Sequence, residues 1–232
     1  MLNIENIAIL VQARMSSERC PGKVMADLNG APLLQRLLES LEQNESGLQV
    51  IICTSLEESD DCIAEFCSKR KTSCFRGNLN DVAKRFMDTC AHYQLNHLVR
   101  ISGDSPWFNV SLVNQAIKDY NASKAQICCN IYPRSFPKGQ SIEVFSSQLL
   151  ETYYTRMNFE DREHVTSVFY RYKHELSFYN IARHPRINHL DLSIDTPQQL
   201  KQCQKIFMGL ERDHWQYSID EVLALYDKNL SI

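Results

Sequence analysis

Apolar residues fall along this chain in two patterns that take turns. Ile7-Ala8-Ile9-Leu10-Val11, Val50-Ile51-Ile52-Cys53 and Leu98-Val99-Arg100-Ile101 are short apolar runs of the kind that form strands covered on both faces. Between them the spacing turns helical: Leu33, Leu34, Leu37, Leu38 and Leu41 mark a helix over 32–43 with Pro32 near its start, and Ile63, Phe66 and Cys67 mark one over 60–68. A short strand near 73–75 and a helix over 81–93 extend the alternation, which predicts a parallel sheet with helices on its faces. After a helix over 111–120 the rhythm breaks. Strands over 126–130 and 141–145 are joined by the loop 133–139, which is too short for a crossover helix, so part of the sheet is expected to be antiparallel or folded outward. Helices over 147–154 and 163–172 and strands over 178–181 and 190–194 complete the expected core. Without a repeat or a clear linker, 1–232 reads as one domain with an appended lobe at about 130–185.

Composition narrows the function classes. The 232 residues carry 25 Lys and Arg against 28 Asp and Glu, a net charge of −3, which disfavours a polyanionic partner such as nucleic acid. A 44% hydrophobic content is too high for a disordered chain. No apolar run approaches the roughly 20 residues of a membrane span, and the start of the chain lacks a signal-peptide pattern, so a cytoplasmic protein without membrane association is expected. The nine cysteines contain no Cys-x-x-Cys pair and mostly sit in apolar runs, as reduced, buried thiols do.

Three segments carry candidate chemistry. The loop from Gln12 to Lys23 leaves the first strand at its carboxyl end, the edge where open α/β sheets bind ligands. Its cations Arg14, Arg19 and Lys23, the Ser17 hydroxyl and a flexible Gly22 suit a polyphosphate, although taken alone it reads equally as a basic surface loop. It is neither a Walker A loop nor a Gly-x-Gly-x-x-Gly turn. Asp104 follows the fourth strand in Gly103-Asp104-Ser105-Pro106, a place for a metal-binding carboxylate or simply for an Asp that favours turns. In Asp195-Thr196-Pro197-Gln198-Gln199, capping explains Thr196, Pro197 and Gln199, and leaves Asp195 either as a second ligand or as an acid favourable near a helix start.

Jointly these segments resemble the cytidylyltransferase branch of the nucleotide-diphospho-sugar transferase superfamily. The resemblance is closest to the spore-coat polysaccharide protein F group, with CMP-Kdo synthetase and acylneuraminate cytidylyltransferase more distant. It spans about residues 5–208 and rests on Gln12-Ala-Arg-x-x-Ser-x-Arg-x-Pro-Gly-Lys23, Gly30-x-Pro32-Leu33, Cys53-Thr54-Ser55, Phe75-Arg76-Gly77 with Asp81-Val82, Arg100-x-x-Gly103-Asp104-x-Pro106, Pro133-Arg134-x-Phe136-Pro137, Arg162-Glu163-His164-Val165-Thr166 and Asp195-Thr196-Pro197. It implies a three-layer α/β/α, Rossmann-like and GT-A-like fold with a mixed, mostly parallel sheet.

The resemblance further implies that CMP passes from CTP to a sugar acid or related acceptor, with release of pyrophosphate, for surface polysaccharide. Gln12, Ala13, Arg14, Ser17, Arg19, Lys23, Thr54, Arg76, Gly77, Asp81, Arg85 and Gly103 would surround the nucleotide. Asp104 and Asp195 would hold Mg²⁺, with Arg14 and Lys23 as the leading catalytic cations. Arg134, Glu143, Arg162 and His164 would meet the acceptor, and a homodimer is implied. Two positions depart from the group's pattern: Ser141 stands where an acid is usual, and Asp191 where a base is common. Both lie in the acceptor-facing half, so the acceptor is left unnamed. The alternatives are a GT-A glycosyltransferase that consumes a nucleotide sugar and a non-catalytic nucleotide-binding subunit. The late aromatics Phe169, Tyr170, Tyr172, Phe178 and Tyr179 are expected in the core or at a subunit interface.

Overall fold

The computed structural model describes residues 6–230. The first half builds β1 (Ile7–Gln12), α1 (Leu33–Leu41), β2 (Val50–Ser55), α2 (Asp61–Arg70), β3 (Ser73–Gly77), α3 (Val82–His92), β4 (His97–Ser102) and α4 (Ser111–Ser123). The strands β3, β2, β1 and β4 are parallel neighbours in that order. In β1 the alternation sends Ile7, Ile9 and Val11 to one face and Ala8 and Leu10 to the other, and each face has its own apolar cluster. The first is covered by α1, α2, α4 and, later in the chain, α8 (Pro197–Met208); the second by α3, α5 (Ser147–Tyr154) and α7 (Ser167–Arg171). These three layers fulfil the expected α/β/α architecture. All five α1 leucines are fully buried. Each contributes roughly 1.5–3 kcal/mol, more than the differences in helix propensity, below about 1 kcal/mol, among ordinary residues, so packing decides this helix.

The second half adds β5 (Ile127–Cys129), β6 (Glu143–Ser146) and β7 (Phe178–Asn180), extending the sheet to the order β3-β2-β1-β4-β6-β5-β7. Strand β6 runs antiparallel to both β4 and β5, as the short 133–139 connection requires, and β7 is parallel to β5. The chain ends in α8 and α9 (Ile219–Leu230).

Two elements differ from the sequence reading. The expected strand at 190–194 is an extended tether instead, joined to Lys138 by an isolated bridge at Asp191 and to the Asp104 carbonyl by the Ile194 amide, 3.0 Å. Its apolar residues Leu192 and Ile194 are buried because they cover the core, without a neighbouring strand to ladder with. The single helix expected over 163–172 is broken into α6 (Phe159–His164) and α7 at Val165, whose φ of 60° and ψ of −60° leave the helical region. Seven of the nine cysteines are buried, and none is in a disulfide.

Candidate functional site

The loop that follows β1 is shaped by contacts its own sequence does not reveal. Gly22, at φ +75°, turns the chain so that its amide reaches the Met15 carbonyl at 2.8 Å, and Lys23 begins a single 3-10 turn. The other end of the loop is held by Asp60. This fully buried carboxylate accepts from the Met15 amide at 2.7 Å, the Ser55 amide at 3.0 Å, the Ser55 hydroxyl at 2.5 Å and the Thr54 hydroxyl at 3.0 Å. Burial alone would raise the pKa of Asp60, but these four donors outweigh it and hold the group below the ordinary carboxylate value.

The two expected metal carboxylates converge. Asp104 lies in the turn after β4, where Gly103 donates its amide to the Gln12 carbonyl at 2.9 Å; a Cβ on Gly103 would sit 2.6 Å from that oxygen, so only glycine admits this approach. Asp195 lies just before α8, where Thr196 and Gln199 form the expected capping box, and Gln199 Oε1 also accepts from the Asp195 amide at 2.9 Å. From these separate elements both carboxylates reach the Lys23 ammonium, Asp104 Oδ2 at 2.8 Å and Asp195 Oδ1 at 2.9 Å, while Arg19 pairs with Asp195 Oδ2 at 2.9 Å. Burial pulls the Lys23 pKa down, but the two carboxylates prevail and raise it. Burial pushes Asp195 up, and the bond and charge of Lys23, with Arg19 beside it, bring it below the usual range. A cation therefore already occupies the point where the two acids meet. Two carboxylates completed by water and phosphate oxygens are the set Mg²⁺ prefers, so Asp104 and Asp195 could hold it. Among the described residues there is no cluster of three or more His, Cys, Asp or Glu side chains that could do so.

Arg19, Lys23 and Asp104 line a cleft of about 360 Å³, and Asp195 lies outside the lining, joined to it through Lys23 and Arg19. Of the residues expected around a nucleotide, Gln12, Ala13, Arg14, Ser17, Arg19, Lys23, Arg85 and Gly103 line it. Arg85 is 1% exposed, donates to the Asn78 carbonyl at 2.6 Å and leaves its buried Nε without a partner among the described residues; burial lowers its pKa. Arg14 reaches across the cleft to Glu163 on α6 at 2.7 Å. Four expected residues lie outside the lining. Thr54 is buried on Asp60, Arg76 donates to the Ser55 and Glu57 carbonyls and pairs with Asp61, Gly77 lies against the Arg85 side chain, and Asp81 caps α3 and accepts from Tyr154.

The acceptor candidates divide similarly. His164 lines the cleft. Arg162 leans on Tyr154 and Asp81, and Arg134 donates through both terminal nitrogens to Ser141 Oγ at 3.0 Å. Glu143 is 1% exposed and committed to Arg100 at 2.5 Å, to Thr166 at 3.0 Å and to Tyr170 at 2.5 Å. Sequence reasoning missed Asp60 and Arg100. Asp60 reads as an ordinary acid opening a helix, whereas Arg100 is signalled by being the one charge inside an otherwise apolar strand, since such a charge is seldom buried without a partner.

Comparison with known proteins gives the family. The chain is 26% identical over 235 residues to the spore coat polysaccharide biosynthesis protein SpsF of Bacillus subtilis, covering 97% of this chain and 96% of that protein. It is 26% identical over 125 residues to a 3-deoxy-manno-octulosonate cytidylyltransferase of Aeromonas salmonicida, covering 52% and 48%. A solved cytidylyltransferase of Leptospira borgpetersenii superposes with a TM-score of 0.89 at 26% identity, over 97% of this chain and 95% of that one. A CMP:2-keto-3-deoxy-manno-octonic acid synthetase complexed with CTP shares the fold, with a TM-score of 0.63 at 14% identity over 88% and 98%. The cytidylyltransferase family model matches residues 8–230. The chain therefore belongs to the cytidylyltransferase family and is a nucleotidyltransferase.

Proposed function

We propose that this enzyme is a Mg²⁺-dependent cytidylyltransferase that moves CMP from CTP to a sugar acid or a related carboxylate- or phosphate-bearing acceptor, in the cytoplasm and as a homodimer, for surface polysaccharide synthesis. The observation that carries the reading is the Lys23 ammonium bonded at once to Asp104 and Asp195 at the edge of a cleft lined by further cations. Arg14, Ser17, Arg19 and Lys23 would grip the triphosphate, and the buried Arg85, which has no carboxylate bonded to it among the described residues, adds a cation suited to an anionic ligand. An acceptor oxygen attacks the α-phosphorus, the bond from that phosphorus to the bridging oxygen breaks, and pyrophosphate leaves with the electron pair. Such a transfer asks mainly for alignment and for neutralisation of the phosphate charge, which these side chains supply in part. Mg²⁺ held by Asp104 and Asp195 would neutralise the rest. His164, the acceptor candidate that reaches the cleft, supports approach of the acceptor from the α6 side. The likeness to SpsF along nearly the whole chain supports a polysaccharide product, and the likeness to the octulosonate enzyme supports a sugar acid.

The test is pyrophosphate release with each of the four nucleoside triphosphates, Mg²⁺ and a panel of sugar acids. Release with CTP that depends on an acceptor is the expected result. Nucleoside diphosphate freed from a nucleotide sugar, with no pyrophosphate from any triphosphate, would replace the reading with that of a glycosyltransferase.

A further inference from the structure

Gln12 ends β1 on the floor of the cleft, and its side chain is not free to turn. Arg100, on the neighbouring β4, donates Nε at 3.2 Å and a terminal nitrogen at 3.0 Å to Gln12 Oε1. A guanidinium only donates, so the atom facing it must be the amide oxygen and the Gln12 NH₂ group must point elsewhere. Arg100 is itself fixed by the buried Glu143, whose second oxygen takes the Tyr170 hydroxyl. Burial beside Glu143 pushes the Tyr170 pKa up, which keeps that hydroxyl a donor at neutral pH. The chain Tyr170, Glu143, Arg100, Gln12 thus ends in two N–H donors at the cleft, with no protein partner for them among the described residues.

We propose that Gln12 binds the nucleotide by donating from this NH₂ group to an oxygen or nitrogen lone pair, and that Arg100 and Glu143 are positioning residues that act only through it. The proposal rests on the CTP reading above and adds a recognition contact to it. It also gives a positioning role to Glu143, which is enclosed and bonded through both carboxylate oxygens. One hydrogen bond of ordinary strength corresponds to about a tenfold change in affinity.

Binding of CTP is measured by calorimetry for the wild type and for Gln12→Met, a change of similar size that keeps no donor. The expected result is about a tenfold weaker Kd with the native fold retained by circular dichroism; a Kd within twofold of wild type overturns the contact. The same comparison with CMP and with inorganic pyrophosphate locates the bonded atom. A loss shared by CTP and CMP assigns it to the nucleoside monophosphate, and a loss shared by CTP and pyrophosphate assigns it to the outer phosphates. Glu143→Gln should weaken CTP binding severalfold in the wild type and add nothing in the Gln12→Met background, whereas additive losses would overturn the relay. Should Glu143→Gln fail to fold, Arg100→Met with Glu143→Gln removes both charges together and takes its place in the cycle. A wild type that binds a different triphosphate in place of CTP would refute the nucleotide choice alone, and the same series would then be run with that triphosphate.

Discussion

The two halves of the sheet treat their charged residues in opposite ways. At the carboxyl edge of β1 and β4, Arg19, Lys23, Asp104 and Asp195 come from distant parts of the chain and meet at a rim that solvent reaches. On the β6 flank, Glu143 is closed into the interior between the half-buried Arg100 of β4 and Tyr170, and Arg134 is spent on Ser141. The first arrangement leaves its groups open to exchange partners for a ligand; the second fixes a backdrop. Carboxylates thus divide by environment rather than by residue type, and the division can be tested.

Asp104→Asn or Asp195→Asn, in the open cluster, should lower turnover by a factor of about one hundred or more while leaving the fold intact, since each removes a proposed metal ligand. Pyrophosphate release together with a melting curve checks this; near-normal turnover in either variant would remove that residue from the metal site. Asp60→Asn should do the reverse and lower stability by about 1–3 kcal/mol through donors left unmatched in the interior, read by denaturant unfolding. Because the folded pKa of Asp60 is depressed, its contribution is present above the unfolded value of about 3.9 and lost as pH falls through the lower folded value. The variant's stability should therefore fall less steeply than that of the wild type on the acid side.

Lys23→Ala should weaken triphosphate affinity about tenfold, the scale of one charge-assisted bond. Unchanged affinity in calorimetry would contradict its role. The smallest effect is expected from Glu163→Gln, which releases Arg14 from its ion pair across the cleft. A partly exposed pair is worth about 0.2–1 kcal/mol, so CTP should bind at most severalfold more tightly. Weaker binding would mean that Glu163 holds Arg14 in its working position.

The difference between the halves also explains what could be read from sequence. Apolar runs at β1, β2 and β4 are unambiguous because both faces are covered, and the short link before β6 forced its reversal. Leu190 to Ile194 misled because burial under a tether and burial in a strand leave the same apolar pattern. The break at Val165 is invisible to periodicity, since Thr166 turns aside to bond Glu143, far away in the chain. At the site, the meeting of Lys23, Asp104 and Asp195 was legible from three motifs: Lys23 closes a cation-bearing loop after β1, Asp104 follows β4, and Asp195 is the residue that capping of α8 leaves over. Thr54 and Arg76 lie outside the cleft lining because their partners, Asp60 and the carbonyls of Ser55 and Glu57, lie at the end of β2 and in the segment after it, where sequence shows nothing unusual.

The reversal of β6 has a consequence for how such an enzyme diversifies. Because this strand enters where its parallel neighbours leave, the segment just ahead of it arrives at the working edge without belonging to any ladder. Residues there, Ser141 among them, can be exchanged while the pairing of β4 with β6 keeps its alignment. A substitution in this one short segment then leaves the rim where Lys23 meets Asp104 and Asp195 untouched.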